Sequence, residues 1–556
     1  MSADIVSRLY CGFRGVDFRG DETQFTRSPD SLNVWKDYKE TDSIRTRPGM
    51  KLDVSFDEPV YGVFFFNNVM LVHSGTKLYK VSGGKTTRIY SGLNAATSDS
   101  FIYNNLWYFK DGKNYLVYDG TTVKEVVGYV PTTSISRKPA GGGSIYEDVN
   151  LISNRRINTF LADGKSKEFA LDAQKIDSDF KPIVKVNDAA VKEFTVDYVN
   201  GKITFETAPT APKTDGQDNV SVEFQKTVSG YSDRILKCTM LQVFDNRVFF
   251  SGNKEFPNTV WHSSLDDPSY CSDLDYYHEG LDKAAIKGMV AGNNALWVFR
   301  EPSQANTTVF YHTPTIDSEY GKIYPSQHSS VTTGCVGKAV NFNDDIVFFS
   351  ERGLEGISGD ITTEQVVAHR SSLVDRKMTV ENGYKNMVLA EWEGYLLVFI
   401  GKKVYLADSR TSFNNMDHRE YEWFYWDLEK EVLCTRVDGG TLYLGTEDGV
   451  YTLSDNEAEI ESYWVTPKDK FKYPHMQKTT NKRGCVIEAT GDFTVHAKTD
   501  KTNFEQIGEY VGVSDYSTCR MKMKKFKDLQ LKFHSNSRFA LESATIEAFV
   551  GGYIKR

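Results

Sequence analysis

The chain has 556 residues, too long for one ordinary domain; its 40% hydrophobic and 25% charged residues are ordinary for globular protein, and only 15 Pro and 42 Gly, spread along it, argue against collagenous and disordered classes. Aromatic residues reach 13%, with 31 Tyr and 34 Phe, and such side chains suit half-buried pleated surfaces, so sheet is favoured over helix. The formal net charge of −9 gives no basis for gripping a phosphate backbone, which calls for clustered Lys and Arg.

From the start of the chain, Met1 to Phe13 has polar breaks every few residues and no apolar core of signal-peptide length. The longest apolar runs, such as Val63 to Phe66, fall far short of the roughly 20 residues of a membrane helix. The expectation is a soluble protein made in the cytoplasm, without a membrane segment. Residues 1–50 are predicted as a mostly extended N-terminal arm, part of which is available to add a strand to the last repeat.

Seven segments then share one pattern: an apolar-alternating run, a tight polar pair, a second apolar run, and a third strand after another turn. The polar pairs are Asn67-Asn68, Asn104-Asn105, Asp245-Asn246, Asn293-Asn294, Asn343-Asp344, Glu393-Gly394 and Gly439-Gly440. Asn, Asp and Gly tolerate the positive φ that two-residue hairpin turns demand. Successive turns are 37, 48, 50, 50 and 46 residues apart except across one gap. That is the repeat length of a four-stranded β-propeller blade. The predicted fold is therefore all-β, a propeller of about seven blades, with residues 51–135 as blades 1 and 2 and 231–456 as the rest. A string of independent β-sandwiches is the alternative all-β reading.

The gap, from 104 to 245, is 141 residues and leaves room for an inserted domain. Residues 136–230 are read as a linker followed by a small β-sandwich. The linker is Pro139 to Ser144 (PAGGGS), flexible by composition, and Asn200-Gly201 marks a hairpin inside the sandwich. Residues 457–556 carry strands without the blade pattern and are read as a C-terminal β-sandwich-like module.

No sequence signature of catalysis is present: no phosphate loop, no nucleophile elbow, no zinc helix, no EF-hand and no sialidase Asp-box. Cys11, Cys238, Cys271, Cys335, Cys434, Cys485 and Cys519 stand singly without zinc or redox spacing and read as buried small hydrophobes. The expectation is a protein that is not an enzyme, with no catalytic, cofactor-binding or metal residues to nominate. Three features carry a functional and a plainer reading. Arg520 to Lys527 alternates Arg520, Lys522 and Lys524 with Met521 and Met523, as a nucleic-acid site or, more plainly, a solvated edge strand. Tyr421 to Trp426 is an aromatic run that stacks sugars or bases, or else packs blade against blade. Asn219 and Asn306 head glycosylation sequons, which mean little without secretion.

Ser28-Pro-Asp-Ser-Leu-Asn-Val-Trp-Lys-Asp-Tyr38, followed by Ile44-Arg-Thr-Arg-Pro-Gly-Met50, resembles the opening of tailed-bacteriophage tail nozzle and packaged-DNA stabilisation proteins. Trp261-His-Ser-Ser-Leu-Asp-Asp-Pro268 resembles a middle-blade segment of such propellers, departing from it at His262. The insert and the Tyr463-Trp-Val-Thr-Pro467 entry to the last module are similar to phage structural domains as well. The resemblance implies a virion structural protein of the tail, a self-associating and usually hexameric ring below the portal and adaptor. Its partners would be portal and adaptor proteins and tail fibres or spikes, and double-stranded DNA would pass through without sequence-specific binding. Six copies at −9 would carry about −54, which repels phosphates rather than retaining them. Two other functions remain open: a carbohydrate- or receptor-binding propeller such as a tail-tip adhesin, and a cellular scaffold for protein partners.

Overall fold

The computed structural model describes residues 4–39, 43–304, 307–318, 321–358, 366–415, 418–455 and 459–553. The chain divides into two compact units, one of Met1–Arg88 with Ser329–Arg556, the other of Ile89–His328.

The fold is all-β, and seven four-stranded antiparallel sheets supply the expected blades. Each of the seven polar pairs has positive φ at both residues, from 47° at Asn104 to 79° at Gly440. The tight hairpins read from the sequence are formed this way, since two-residue turns that match strand twist need that backbone. The first blade runs Val60–Phe66, Val69–Ser74, Lys77–Ser82 and Lys85–Ser91, the last strand continuing into the second unit. The first unit also holds the fifth blade (Ala339–Phe342 to Val366–His369) and the sixth (Val388–Trp392 to His418–Asp427). Its seventh blade, Cys434–Asp438, Thr441–Gly445 and Gly449–Ser454, takes its fourth strand from Gly49–Ser55, near the start of the chain. The second unit holds the second blade (Asp99–Tyr103 to Val123–Glu125), the third (Met240–Phe244 to Tyr276–His278) and the fourth (Ile286–Gly292 to Ser326–His328).

The insert pairs a six-stranded sheet with a three-stranded one around Phe160, Phe169, Ile203, Val222 and Phe224. It begins earlier than expected, because Thr132–Arg137 is a strand of the larger sheet rather than of a blade. The PAGGGS stretch is not a flexible linker. Gly141 N donates to Lys138 O at 2.8 Å, closing a turn, and Ser144–Ile145 pairs with Ser134 and Ile135. A Cβ on Gly143 would lie 2.6 Å from Ile135 O, so the glycine there permits close packing. The Asn200-Gly201 hairpin joins Phe194–Asp197 to Lys202–Phe205 through a longer turn, with Asp197 Oδ1 accepting from Val199 N and Asn200 N.

The C-terminal module differs from a free-standing sandwich. One continuous hydrogen-bonded network joins eleven strands, of which Met476–Thr499 is the spine. That strand pairs with Phe539–Tyr553, Leu529–Ser535 and Thr502–Val513 along its length. Residues 1–50 are likewise not a separate extended arm. Asp4–Tyr10, Ser31–Leu32, Val34–Lys36 and Ile44–Thr46 are strands of this same sheet. The reason is burial: Tyr10, Phe13, Val34, Trp35 and Ile44 share one apolar core with Ile487, Val495, Phe533 and Ile546.

Candidate interaction surface

Two families of groups could carry function, buried titratable clusters and the exposed charged edge of the C-terminal module. One such cluster sits on the fifth blade. Glu355 and His369 are cross-strand partners, and His369 Nδ1 lies 3.1 Å from Glu355 Oε2. His369 Nε2 lies 2.5 Å from Asp375 Oδ2, on the short helix Asp375–Met378. Burial would lower the imidazole pKa, but the carboxylates of Asp375 and Glu355 outweigh it and hold it at about 9. Ser371 Oγ donates to Asp375 Oδ1 at 2.6 Å, and Arg352 Nη2 lies 3.0 Å from Glu355 Oε1. A cavity of about 580 Å³ opens beside these residues. A Ser, His and Asp are thus adjacent, yet the serine bonds the aspartate instead of the imidazole. Both ring nitrogens are occupied, so His369 has no lone pair with which to accept a serine proton. The cluster is an ion-pair hub.

In the second unit His312 and Glu279 are both fully buried, with His312 Nε2 2.8 Å from Glu279 Oε1. His312 Nδ1 is 2.9 Å from Tyr324 O, and Ser326 Oγ donates to Glu279 Oε2 at 2.6 Å. Both imidazole nitrogens thus face oxygen atoms. Tyr277 packs on the ring at 4.9 Å between centroids, and both partners of the pair are fully buried. Lys110, whose amine burial pushes down to about 8, donates to Leu236 O and is enclosed in the same way. Among the described residues no group of three or more His, Cys, Asp and Glu is placed to hold a metal.

The aromatic run is core. Tyr421, Trp423, Phe424, Tyr425 and Trp426 are all at most 3% exposed. Trp423 Nε1 donates to Arg370 O and Trp426 Nε1 to Val34 O. Asn219 is tied into the insert, its Oδ1 accepting from Ala162 N and its Nδ2 donating to Thr210 O. Asn306 lies outside the described residues.

The basic run presents the opposite picture. Met521 and Phe526 are 1% exposed, whereas Arg520, Lys522, Lys524, Lys525 and Lys527 are exposed. Arg520 to Met523 has no strand partner, and Lys525 takes φ +56°, so the segment is a turn-broken edge and not a straight strand. Lys527 N donates to Asp500 Oδ1, and Lys501 Nζ donates to Lys525 O, which fastens the run to the Thr499–Thr502 turn. Lys478, 1% exposed, donates its amine to Lys527 O and Tyr473 O from beneath. Burial lowers its pKa. Residues 457–556 hold 17 Lys and Arg against 13 Asp and Glu, whereas residues 1–456 hold 49 against 62. Positive charge is thus concentrated in one module of an acidic chain, a contrast that the net charge concealed.

The residues behind the sequence resemblance form a clasp within the first unit. Asn33, at φ +55°, donates from Nδ2 to Glu461 O, and its Oδ1 accepts from Arg47 Nε at 2.9 Å and Asp427 N at 2.8 Å. Arg47, 1% exposed, also donates to Pro48 O, Asp427 O and Glu429 Oε1. Trp35 stacks on Trp392 at 5.4 Å and meets Trp426 edge-on at 5.7 Å. The motif therefore joins the N-terminal segment, the sixth blade and the C-terminal module.

No family model matches the chain, and no curated protein matches it. Among solved structures it is similar to the computationally designed Ika8 protein, at 12% identity and a TM-score of 0.31, over 73% of this chain and 99% of that one. It is similar to BamB from Moraxella catarrhalis at 12% identity and a TM-score of 0.33, over 74% of this chain and 99% of that one. Hsv2 from Kluyveromyces lactis gives 8% identity and a TM-score of 0.31, over 74% and 94%. These distant likenesses bring no activity or partner to the chain.

Proposed function

We propose that this protein is a non-enzymatic virion structural component of a tailed bacteriophage. In that reading it is a tail nozzle or hub, a ring below the portal and adaptor that retains and conducts the packaged genome. The observation that carries the reading is the clasp of Asn33, Trp35 and Arg47. The residues whose order resembles the opening of nozzle and DNA-stabilisation proteins are buried and mutually bonded, so the motif has a structural task to perform. The middle-blade segment is also built in. Trp261, His262 and Ser263 are at most 4% exposed, and Ser263 Oγ accepts from Val248 N. A conduit calls for a stable shape, and buried motifs of this kind supply stability rather than chemistry.

The test is the assembly state of purified protein at high concentration, by light scattering and negative-stain microscopy. The reading expects closed rings, with six copies the leading stoichiometry. A strict monomer in the absence of partners would overturn it. A ring co-purifying with portal or adaptor proteins would extend it to the partners named above.

A further inference from the structure

We propose that the lysine-rich edge of the C-terminal module is a sequence-independent contact surface for the phosphate backbone of double-stranded nucleic acid. Three observations converge on it. Arg520, Lys522, Lys524, Lys525 and Lys527 form an acid-free run, all exposed, and no carboxylate pairs with them among the described residues. The run is held in place through its backbone: Lys527 N by Asp500, Lys525 O by Lys501 and Lys527 O by the buried Lys478. Its side-chain amines therefore remain available. Beside it a cavity of about 420 Å³ is lined by Lys468, Lys498 and Lys501, with Thr502 and Asn503 as neutral donors. Asp500 and Asp528 line it too, the first accepting from Lys527 N and the second 3.5 Å from Lys468 Nζ.

The donors at this edge are mostly point charges flanked by neutral hydroxyl and amide groups. The Arg fork matches carboxylate and phosphate alike, whereas Lys acts as a point charge that binds either without fixed geometry. This edge has many lysines and one arginine, Arg520, which suits diffuse contact with phosphate oxygens that need no fixed geometry. Neutral hydroxyl and amide donors beside such cations are the other usual phosphate contacts. The rest of the chain is acidic and would repel the same polymer, so contact is confined to this edge. The inference stands on the geometry and charge of the module and does not depend on the nozzle reading.

The experiment uses the full-length protein and a fluorescent random-sequence duplex of about 30 base pairs, titrated between about 50 and 200 mM salt. The expected result is binding that weakens steeply with salt. In Arg520→Gln/Lys522→Gln/Lys524→Gln, affinity at the lowest salt falls about tenfold or more, and the salt slope shrinks by about 2 to 3. Lys192→Gln/Lys213→Gln/Lys254→Gln removes equal charge elsewhere and should leave both unchanged. A parallel melting curve checks folding. Should the first triple fail to fold, Arg520→Gln/Lys522→Gln, confined to the unpaired segment, repeats the test. No binding by the wild type, equal losses in both triples, or competition by polyglutamate as strong as by unlabelled duplex would each overturn the proposal. Rings that fail to form while duplex binding persists would count against the nozzle reading alone.

Discussion

Asn33 and Arg47 are bonded side chain to side chain in the interior of the first unit, Arg47 Nε donating to Asn33 Oδ1 at 2.9 Å while Arg47 N donates to Asn33 O. Asn33 meets three needs there. It accepts a charged donor and a backbone donor, it donates to Glu461 O, and it tolerates φ +55°. Asn33→Ala should destabilise by about 3 kcal/mol, because it leaves buried Arg47 Nε and Asp427 N without their acceptor and removes the side-chain amide that lets Asn, unlike Ala, tolerate positive φ. Asn33→Gly loses the same bonds but not the backbone fit, and should cost about 1 kcal/mol less. Urea melts of the two variants against wild type measure the difference, and equal losses would show that the backbone conformation contributes nothing.

The hairpin turn at Glu393-Gly394 is the one of seven whose first residue is poorly suited to φ +49°. A non-Gly, non-Asn residue in that region costs about 1 kcal/mol. Glu393→Asn should therefore stabilise by about 0.5–1 kcal/mol. The ion pair it removes, Lys39 Nζ to Glu393 Oε1, lies at the surface and offsets little. Thermal denaturation reads the sign directly, and a lower Tm would mean that the Lys39 pair outweighs the backbone term.

His369 gives the fifth blade a defined pH response. Its pKa in the folded chain, about 9, lies above the unfolded value of about 6.5. The charged form is thus bound more tightly when folded, and the stabilisation is complete below about pH 6.5 and lost as pH rises through 9. Its size is about 1–3 kcal/mol, given that the imidazole is partly exposed. Stability measured at about pH 6, 8 and 10 should show the gap between wild type and His369→Gln narrowing over that window. A gap that does not change with pH would remove the ion-pair account of the cluster.

For the buried pair in the second unit, Glu279→Ala leaves His312 Nε2 and Ser326 Oγ without their partner and should cost about 3–5 kcal/mol. Glu279→Gln keeps an acceptor for Ser326 and supplies a donor to His312, so about 1 kcal/mol is expected. Chemical denaturation of both variants separates hydrogen bonding from charge. A Gln variant as unstable as the Ala variant would show that the negative charge itself is required.

Local rules made the blades legible in the sequence. Positive φ admits few residue types, so pairs such as Asn67-Asn68 and Gly439-Gly440 announced their hairpins without knowledge of any distant partner. The alternation of Met521 and Met523 with Arg520, Lys522 and Lys524 likewise marked the inward side: Met521 is 1% exposed and Met523 half-buried, while the three cations are exposed. What stayed hidden depends on contacts across hundreds of residues. Leu9 pairs with Thr545, and nothing near Leu9 announces it. Cys485 and Cys519 looked solitary, yet they are cross-strand partners, both buried, in the C-terminal sheet. The Glu355–His369–Asp375 hub escaped notice for a similar reason: its first pair is created by strand register, a property of the sheet and not of the local sequence. The glycines of PAGGGS suggested slack, but Gly143 serves close packing against Ile135.

The strands contributed by the start of the chain impose an order on its synthesis. Gly49–Ser55 waits for Gly449–Ser454, and Asp4–Tyr10 waits for Phe539–Tyr553. At ribosomal speeds of about 5–20 residues per second, the first strand stays unpaired for roughly half a minute to two minutes. Ile89–His328, contiguous in sequence, can meanwhile complete its own blades and insert. The first unit closes last, and a product cut short before Phe539 could not close the sheet that its opening residues begin. Truncated chains would carry open strand edges and present themselves for clearance.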